Sequence, residues 1–272
     1  VIDWKDLPNF DKTFFEKGSC LSIGSFDGLH LGHRALFNRL IEKANLSNLL
    51  KGVFTFYTPP RYTLSVQEYK PISTLKLKLE KMKSLMFDFI VLVDFSLDFA
   101  KMRGTVFFDI LMKTICIKYL AVGSDFTCGY RHDTGVGELR LLAKEKGFCF
   151  DSIEQLVSVR HERISSSAIR QAVEQADFTL AKDLLGYPFF LDVAKIVQRI
   201  DGTERSIGKH DIAQILPRNG LYAARAYIQT GVSVPVQVTI TAAMLKISGL
   251  DTGAHPSSAE TVIHKLEFIA KE

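Results

Sequence analysis

The feature that most constrains the fold is an alternation of short apolar segments with amphipathic segments along residues 19–185. The apolar segments have the length of strands, and the segments between them repeat their apolar residues at helical spacing. The predicted strands cover residues 19–24, 53–56, 89–93, 119–123 and 148–153, and the predicted helices cover 33–43, 75–85, 105–113 and 138–146. This alternation predicts an α/β domain with a parallel sheet and right-handed crossovers.

The pattern changes near Gly186, where helical periodicity stops. Residues 232–241 alternate between apolar and polar, which is typical of a half-buried antiparallel strand. Two further segments are expected to be strands, and two polar segments rich in glycine and serine are expected to be loops: strands at 191–200 and 221–228, loops at 199–210 and 247–259. We therefore predict two domains, residues 1–185 and a smaller, mainly β domain at residues 186–272.

Composition excludes several classes of protein. The 272 residues are 47% hydrophobic and 24% charged, which is typical of a globular chain, and the apolar runs are far shorter than the ~20 residues of a membrane span. The net charge of +4 suits an anionic substrate but is too small and scattered to indicate nucleic-acid binding. No secretory signal is recognisable, so we expect a cytoplasmic protein with reduced thiols. The four cysteines are Cys20, Cys116, Cys128 and Cys149. Of these, Cys20 and Cys149 are expected in the core.

Residues 24–33 carry the most chemical information, because they join a predicted strand to a predicted helix and read Gly-Ser-Phe-Asp-Gly-Leu-His-Leu-Gly-His. Ligands of open α/β sheets bind at the carboxyl ends of strands, and a helix N-terminus attracts anions. The three glycines let the backbone approach an anion closely. His30 and His33 are three residues apart and therefore face one side of the first helical turn. The segment predicts a phosphate-binding site.

A second anion site is predicted where a helix begins near Ala168. Ser165 or Ser166 is suited to cap this helix, and Arg170 lies one turn further along. An ordinary capped helix with a surface arginine would have the same sequence, so the residues alone leave both interpretations open.

Four short segments, taken in order, share the motifs of one known family. Residues 24–33 match its Gly-X-Phe-Asp-Gly-X-His-X-Gly-His signature, and residues 55–61, Thr-Phe-Tyr-Thr-Pro-Pro-Arg, match its loop after the second strand. Residues 122–129 and 163–170 match its Val-Gly-X-Asp-Phe and Arg-Ile-Ser-Ser segments, with Cys128 where Phe is usual and Ser167 where Thr is usual. In these segments the chain resembles the adenylyltransferase module of prokaryotic FAD synthetases, nucleotidyltransferases that are often fused to a riboflavin kinase.

The resemblance implies a Rossmann-like nucleotidyltransferase fold and the reaction FMN + ATP → FAD + pyrophosphate. The FMN phosphate is already largely anionic at neutral pH, with a second pKa of about 6, so the reaction needs no general base. The site must instead align two anions and stabilise the charge that develops on the phosphates. Mg²⁺ is expected to arrive with the ATP phosphates, and no metal site made by the protein alone is predicted.

The resemblance also implies which residues form the site. His30 and His33 are expected beside the α-phosphate, and Ser166 and Arg170 at the leaving phosphates, as the catalytic residues. The remaining ATP-binding residues are expected to be Gly24, Phe26, Asp27, Gly28, Gly32, Arg163 and Ser167. The expected FMN-binding residues are Pro59, Arg61, Asp125 and Phe126.

The second region resembles the riboflavin kinase barrel of the fused family only in part. Residues 205–213 lack the Pro-Thr-Ala-Asn element whose Thr and Asn hold the Mg-nucleotide, and Val262 stands where the family has its catalytic glutamate. Because valine cannot accept a proton from the ribityl hydroxyl, we expect a degenerate barrel without kinase activity. Glu260 or Glu267 would restore the kinase if the register were different.

Three alternatives remain open at this stage. The chain could be a bifunctional riboflavin kinase/FAD synthetase, or an adenylyltransferase of the same superfamily that uses nicotinate mononucleotide or phosphopantetheine. It could also be a non-catalytic flavin- or nucleotide-binding module. The expected partners are the small molecules ATP and FMN, not nucleic acid or membrane, and the oligomeric state is left undetermined.

Overall fold

A computed structural model of the chain describes residues 1–60, 69–154, 163–201, 204–228, 232–250 and 262–272. The chain forms two compact units. The first unit consists of Val1–Tyr69 and Leu79–Val157, and the second of Lys70–Lys78 and Ser158–Glu272. The units do not follow the predicted boundary between residues 185 and 186, and that boundary stays a prediction.

The first unit is built on a six-stranded parallel sheet, which confirms the predicted α/β class. The strands of this sheet are β1 (Ile2–Asp3), β2 (Ser19–Ile23), β3 (Leu50–Phe56), β4 (Phe89–Val93), β5 (Ile117–Gly123) and β8 (Cys149–Ile153). A separate two-stranded ribbon consists of β6 (Thr127–Cys128) and β7 (Thr134–Gly135). The order in the sheet is β1-β4-β3-β2-β5-β8. The chain therefore moves outward from β2 in both directions, and the crevice between the carboxyl ends of β2 and β5 is where such sheets bind ligands.

The α/β region contains the predicted helices and one short helix, Leu97–Ala100, that was not predicted. They are α1 (Leu31–Ser47), α2 (Leu75–Ser84), α3 (Leu97–Ala100), α4 (Gly104–Ile115) and α5 (Val136–Lys146). Helix α1 buries Leu36, Phe37, Leu40 and Ala44, which recur at helical spacing, and it ends at Asn48 in the left-handed conformation.

The core beside β3 is aromatic. Trp4 packs edge-on against Phe54 and Phe99, with ring centroids 5.5 and 5.6 Å apart, and Phe107 of α4 lies 5.0 Å from Phe54. Edge-to-face pairs of this kind add about 0.5–1.5 kcal/mol to the stabilisation that burial alone provides. The aromatic side chains fix α4 against the sheet.

The expected burial of two cysteines is confirmed for one and wrong for the other. Cys20, in central β2, is fully buried, and burial raises the pKa of its thiol to about 12. Cys149 is exposed, because it begins β8, the edge strand, where one side of the strand has no neighbour. All four cysteines are free thiols.

The described residues of the second unit include two helices that lie wholly within it and an antiparallel sheet of seven strands, hereafter the half-barrel. The helices are α6 (Ser166–Glu174) and α7 (Phe178–Leu185). The strands are β9 (Phe190–Asp192), β10 (Arg199–Asp201), β11 (Glu204–Gly208), β12 (Gly220–Ile228), β13 (Ser233–Ile240), β14 (Met244–Ser248) and β15 (Ile263–Lys271), in the order β10-β11-β14-β13-β12-β15-β9. The predicted barrel-like β region is confirmed.

Three predictions within the half-barrel are wrong in whole or in part. The supposed loop at 199–210 contains two paired strands, with Arg199 opposite Ser206. Of the supposed loop at 247–259, residues 247 and 248 belong to β14, and residues 251–259 lie outside the described residues. The single strand predicted at 191–200 is two short strands, β9 and β10. Ile207, Leu245 and Ile247 are buried, and Arg205 of β11 is buried with them. Strands β10 and β11 contain few apolar residues, so the sequence pattern did not mark them as strands.

Candidate functional site

The loop between β2 and α1 has an unusual backbone. Phe26, Gly28 and Leu29 have φ values of 49°, 80° and 42°, so three of four successive residues are left-handed. Only one of them is glycine, and a side chain in this conformation costs roughly 1–2 kcal/mol. Strain of this kind concentrates at functional sites, where the surrounding structure holds it in place. We call residues 24–33 the histidine loop.

His30 is the N-cap of α1, and its ring Nδ1 accepts a hydrogen bond from the His33 backbone N–H at 3.3 Å. Because Nδ1 is an acceptor, neutral His30 carries its proton on Nε2. The side chain is 6% exposed, and burial lowers its pKa to about 4, against an opposing effect of the charge on Asp125. At neutral pH His30 is therefore an uncharged hydrogen-bond donor at the N-terminus of a helix.

The two imidazoles form a stacked pair that Phe26 supports. The His30 and His33 ring centroids are 3.6 Å apart with an interplanar angle of 18°. Buried Phe26 lies edge-on to His33 at 5.2 Å and contacts Phe37 of α1 at 4.8 Å. A Cβ at Gly24 would lie 3.0 Å from the Phe26 ring, so glycine leaves the space that this ring fills.

Two side-chain hydrogen bonds fix the first part of the histidine loop. Thr55, in β3, donates from Oγ1 to the Ser25 carbonyl at 3.2 Å. Tyr69 donates from its hydroxyl to Oδ2 of Asp27 at 2.9 Å, and the Asp27 side chain is only 3% exposed. Sequence reasoning missed Tyr69, because nothing in the local pattern links residues 42 positions apart.

The predicted flavin-side residues follow the strands next to β2. Asp125 and Phe126 lie two and three residues beyond the end of β5. Asp125 is exposed, and Phe126 packs partly against the core. Pro59 follows β3 and is half-buried. All three strands are parallel, so these residues and the histidine loop share the carboxyl edge of one sheet. Arg61 lies outside the described residues.

Cys128, which replaces the usual phenylalanine, is in β6 and packs against the core. Burial is the main cause that raises the pKa of its thiol, to about 12. It is therefore a small uncharged side chain at a position where the resemblance implies an aromatic ring.

The predicted second anion site lies in the second unit. Ser165 Oγ accepts from the Ala168 backbone N–H at 3.2 Å, so Ser165 is the N-cap and α6 begins at Ser166. Arg170 is half-buried and its Nε donates to the Lys70 carbonyl at 3.3 Å. Arg163 and Ser167 are exposed. The assignment of this helix start and of the histidine loop to one ATP stays a prediction.

Within the described parts of the chain, no three His, Cys, Asp or Glu side chains are grouped so that they could hold a metal ion. No described helix has the length and apolar character needed to cross a membrane.

Comparison with known proteins assigns the chain to a family. The sequence profile of the family described as FAD synthetase matches residues 13–168, more than half of the chain. The chain belongs to the FAD synthetase family. The part that matches the FAD synthetase profile includes the histidine loop and the segment after β5, and it ends within the first turn of α6.

Relatives of this FAD synthetase family member include two proteins named bifunctional riboflavin kinase/FMN adenylyltransferase. That of Haemophilus influenzae is 29% identical over 222 residues, 79% of this chain and 71% of the relative. That of Escherichia coli K12 is 34% identical over 218 residues, 76% of this chain and 68% of the relative. A crystal structure described as a macrolide-efflux protein from Streptococcus pneumoniae covers the whole chain and 90% of its own, with a TM-score of 0.82 and 20% identity. This likeness shows the fold alone.

Proposed function

We propose that this member of the FAD synthetase family is an FMN adenylyltransferase, which makes FAD and pyrophosphate from FMN and ATP. One observation carries the proposal: two stacked imidazoles, of which His30 is neutral, stand at a helix N-terminus on the carboxyl edge of a parallel sheet. A neutral imidazole donor and a helix dipole suit a phosphate group. The names of the relatives supply the acceptor, FMN.

The reaction is an in-line displacement at phosphorus. An oxygen of the FMN phosphate forms a bond to the α-phosphorus of ATP, and the bond from that phosphorus to the bridging oxygen breaks, so that pyrophosphate leaves with the electron pair. No proton has to be removed from the nucleophile. The role of His30 is to donate from Nε2 to an oxygen of the α-phosphate, where charge develops in the transition state. His33 stacks against His30 and acts at the same group.

The other predicted residues have binding roles in this proposal. Four residues hold the β- and γ-phosphates: Arg163, Ser166, Ser167 and Arg170. Five residues of the histidine loop are proposed to give it the conformation that binds ATP: Gly24, Phe26, Asp27, Gly28 and Gly32. Three described residues face FMN, together with Arg61: Pro59, Asp125 and Phe126. Mg²⁺ enters as part of the MgATP substrate.

The half-barrel is proposed to lack riboflavin kinase activity. Val262, at the position of the family's glutamate, has no group that accepts a proton. Glu267 accepts a hydrogen bond from the Tyr227 hydroxyl at 2.6 Å, so one of its carboxylate oxygens is already bound within the half-barrel. The bifunctional names of the relatives favour the opposite outcome. Riboflavin and MgATP are incubated with the protein, and robust FMN formation would show that the kinase is intact.

In the main experiment the protein is incubated with FMN and MgATP. FAD is measured after chromatographic separation from FMN, and pyrophosphate is measured by a coupled assay. FAD and pyrophosphate are expected in equal amounts. Nicotinate mononucleotide and phosphopantetheine, supplied with labelled ATP, test the other acceptors. Binding of FMN or ATP without turnover would contradict the proposal in favour of a non-catalytic module.

A further inference from the structure

Asp27 is an acidic residue in a loop that is proposed to bind phosphates, where an acidic side chain is unexpected. Its side chain is 3% exposed, and it lies three residues before His30. A buried carboxylate is costly unless hydrogen bonds stabilise it, and it repels nearby phosphate charge. The Tyr69 hydroxyl supplies such a hydrogen bond at 2.9 Å.

The backbone around Asp27 needs support. Phe26 and Leu29, on either side of it, are left-handed, and such residues keep this conformation only where neighbouring groups hold them. The Thr55 hydroxyl holds the Ser25 carbonyl before this turn. The Tyr69 hydroxyl is hydrogen-bonded to the Asp27 carboxylate, two residues further along the chain. Asp27 comes immediately before the left-handed residues Gly28 and Leu29, which lead into His30.

We propose that Tyr69 is a positioning residue for the adenylyl transfer. Its hydroxyl anchors the Asp27 carboxylate, and the anchored loop presents the stacked His30 and His33 rings to the α-phosphate. The inference rests on the proposed function. It adds a residue outside all four motifs, and it gives Asp27 an anchoring role within the ATP-binding loop.

The test variant is Tyr69→Phe, which removes one hydroxyl and keeps the ring. Loss of a hydrogen bond to a charged acceptor is expected to lower kcat about tenfold, with the KM for FMN unchanged, because the imidazoles are misplaced for the transition state. In an Asp27→Asn background the same substitution is expected to cost less than threefold, because the amide oxygen is a weaker acceptor.

Tyr119→Phe is the matched control. Tyr119 also donates to an aspartate, Oδ2 of Asp151, at 2.7 Å and in the same sheet. It pairs with Cys20 and Cys149 within the strands, away from the carboxyl edge. We expect Tyr119→Phe to lower the melting temperature by an amount similar to Tyr69→Phe and to leave kcat and KM unchanged.

A second readout does not require turnover. The ¹⁵N–¹H signals of the His30 and His33 imidazoles at pH 7 report their placement in the protein without substrates. They are expected to shift in Tyr69→Phe and not in Tyr119→Phe. Unchanged signals in Tyr69→Phe, or the same loss of kcat in both variants, would overturn the inference. Failure of the wild type to form FAD overturns the proposed function instead, and the imidazole signals then decide the role of Tyr69 by themselves.

Discussion

In the histidine loop, Phe26, Gly28 and Leu29 all have left-handed backbone, whereas among the described residues of the half-barrel only Gly220 and Gly249 have positive φ. Residues 205–208, where the resemblance places the kinase phosphate loop, lie in β11 and pair regularly with β14. A loop that wraps a phosphate needs irregular backbone with outward N–H groups, and a ladder strand uses those groups for pairing. The histidine loop therefore has a backbone suited to a phosphate site, and residues 205–208 have the backbone of a structural strand.

The largest expected effect comes from His30→Ala. Removing a donor placed at developing charge typically costs about 10²–10³ in kcat, so FAD formation is expected to fall by that factor. The control is His210→Ala, since His210 is an exposed residue beside β11 in the half-barrel. Steady-state kinetics measure the effect, and circular dichroism confirms that both variants fold. Similar losses of kcat in His30→Ala and His210→Ala would contradict the assignment of catalysis to the histidine loop.

The stability of the protein is expected to depend on pH through His30, which has no buried counterpart at His210. His30 has a pKa of about 4 in the folded protein and an ordinary value of 6.5. Because the folded pKa is the lower one, the unfolded chain takes up the proton first as the pH falls, and stability is lost between those two values. The loss reaches about 3 kcal/mol near pH 4.

Urea unfolding at a series of pH values measures this loss. The His30→Asn variant is expected to have a correspondingly flatter profile, whereas His210→Asn should follow the wild type. A wild-type profile without a decline between pH 6.5 and pH 4 would contradict the assigned burial of His30.

Arg170→Ala tests the second anion site. A hydrogen bond between an arginine and a phosphate is worth about 1.5–3 kcal/mol, so kcat/KM for ATP is expected to fall roughly 10- to 100-fold. Arg225→Ala, at an exposed position of β12, is the control and should leave kcat/KM unchanged. Retention of full activity by Arg170→Ala would favour the alternative of a capped helix with a structural arginine.

The smallest expected effect compares two glycines. Gly24→Ala places a Cβ 3.0 Å from the Phe26 ring, and we expect a few-fold loss of FAD formation as that ring moves against His33. Gly249→Ala meets open space but has a φ of 79°, so it should cost about 1 kcal/mol of stability and no activity. Thermal melts measure the stability of both variants, and steady-state kinetics measure their FAD formation. A loss of activity in Gly249→Ala would contradict this prediction.

Much of the fold could be predicted because most of the parallel strands contain short apolar runs, of which β4 is apolar throughout. All five predicted strands of the α/β region are present, and the predicted helix at 33–43 corresponds to α1. Helix α1 begins earlier, at Leu31, because its N-cap is His30, a residue type that is seldom recognised as a cap. The pairing of β10 with β11 was missed because Ile200 and Ile207 are the only apolar residues of these two strands.

The candidate site was predictable only where its residues are close in sequence. The spacing of His30 and His33 placed both at one helix start, and their stacking confirms that they face each other. The Tyr69 hydrogen bond to Asp27 could not be foreseen, because it depends on how the chain returns to the loop after β3. The same is true of Gln214, whose buried side chain bonds the Ile72 and Phe190 carbonyls and the Asp192 N–H.

The order of the half-barrel sheet leaves β10 and β9 at its two borders. Each is only three residues long, and Arg199 and Asp201 flank the exposed Ile200 in β10. A border this short and charged is a poor template for a strand from another molecule. The open sheet is thereby protected against the edge-to-edge aggregation to which unclosed β structures are prone.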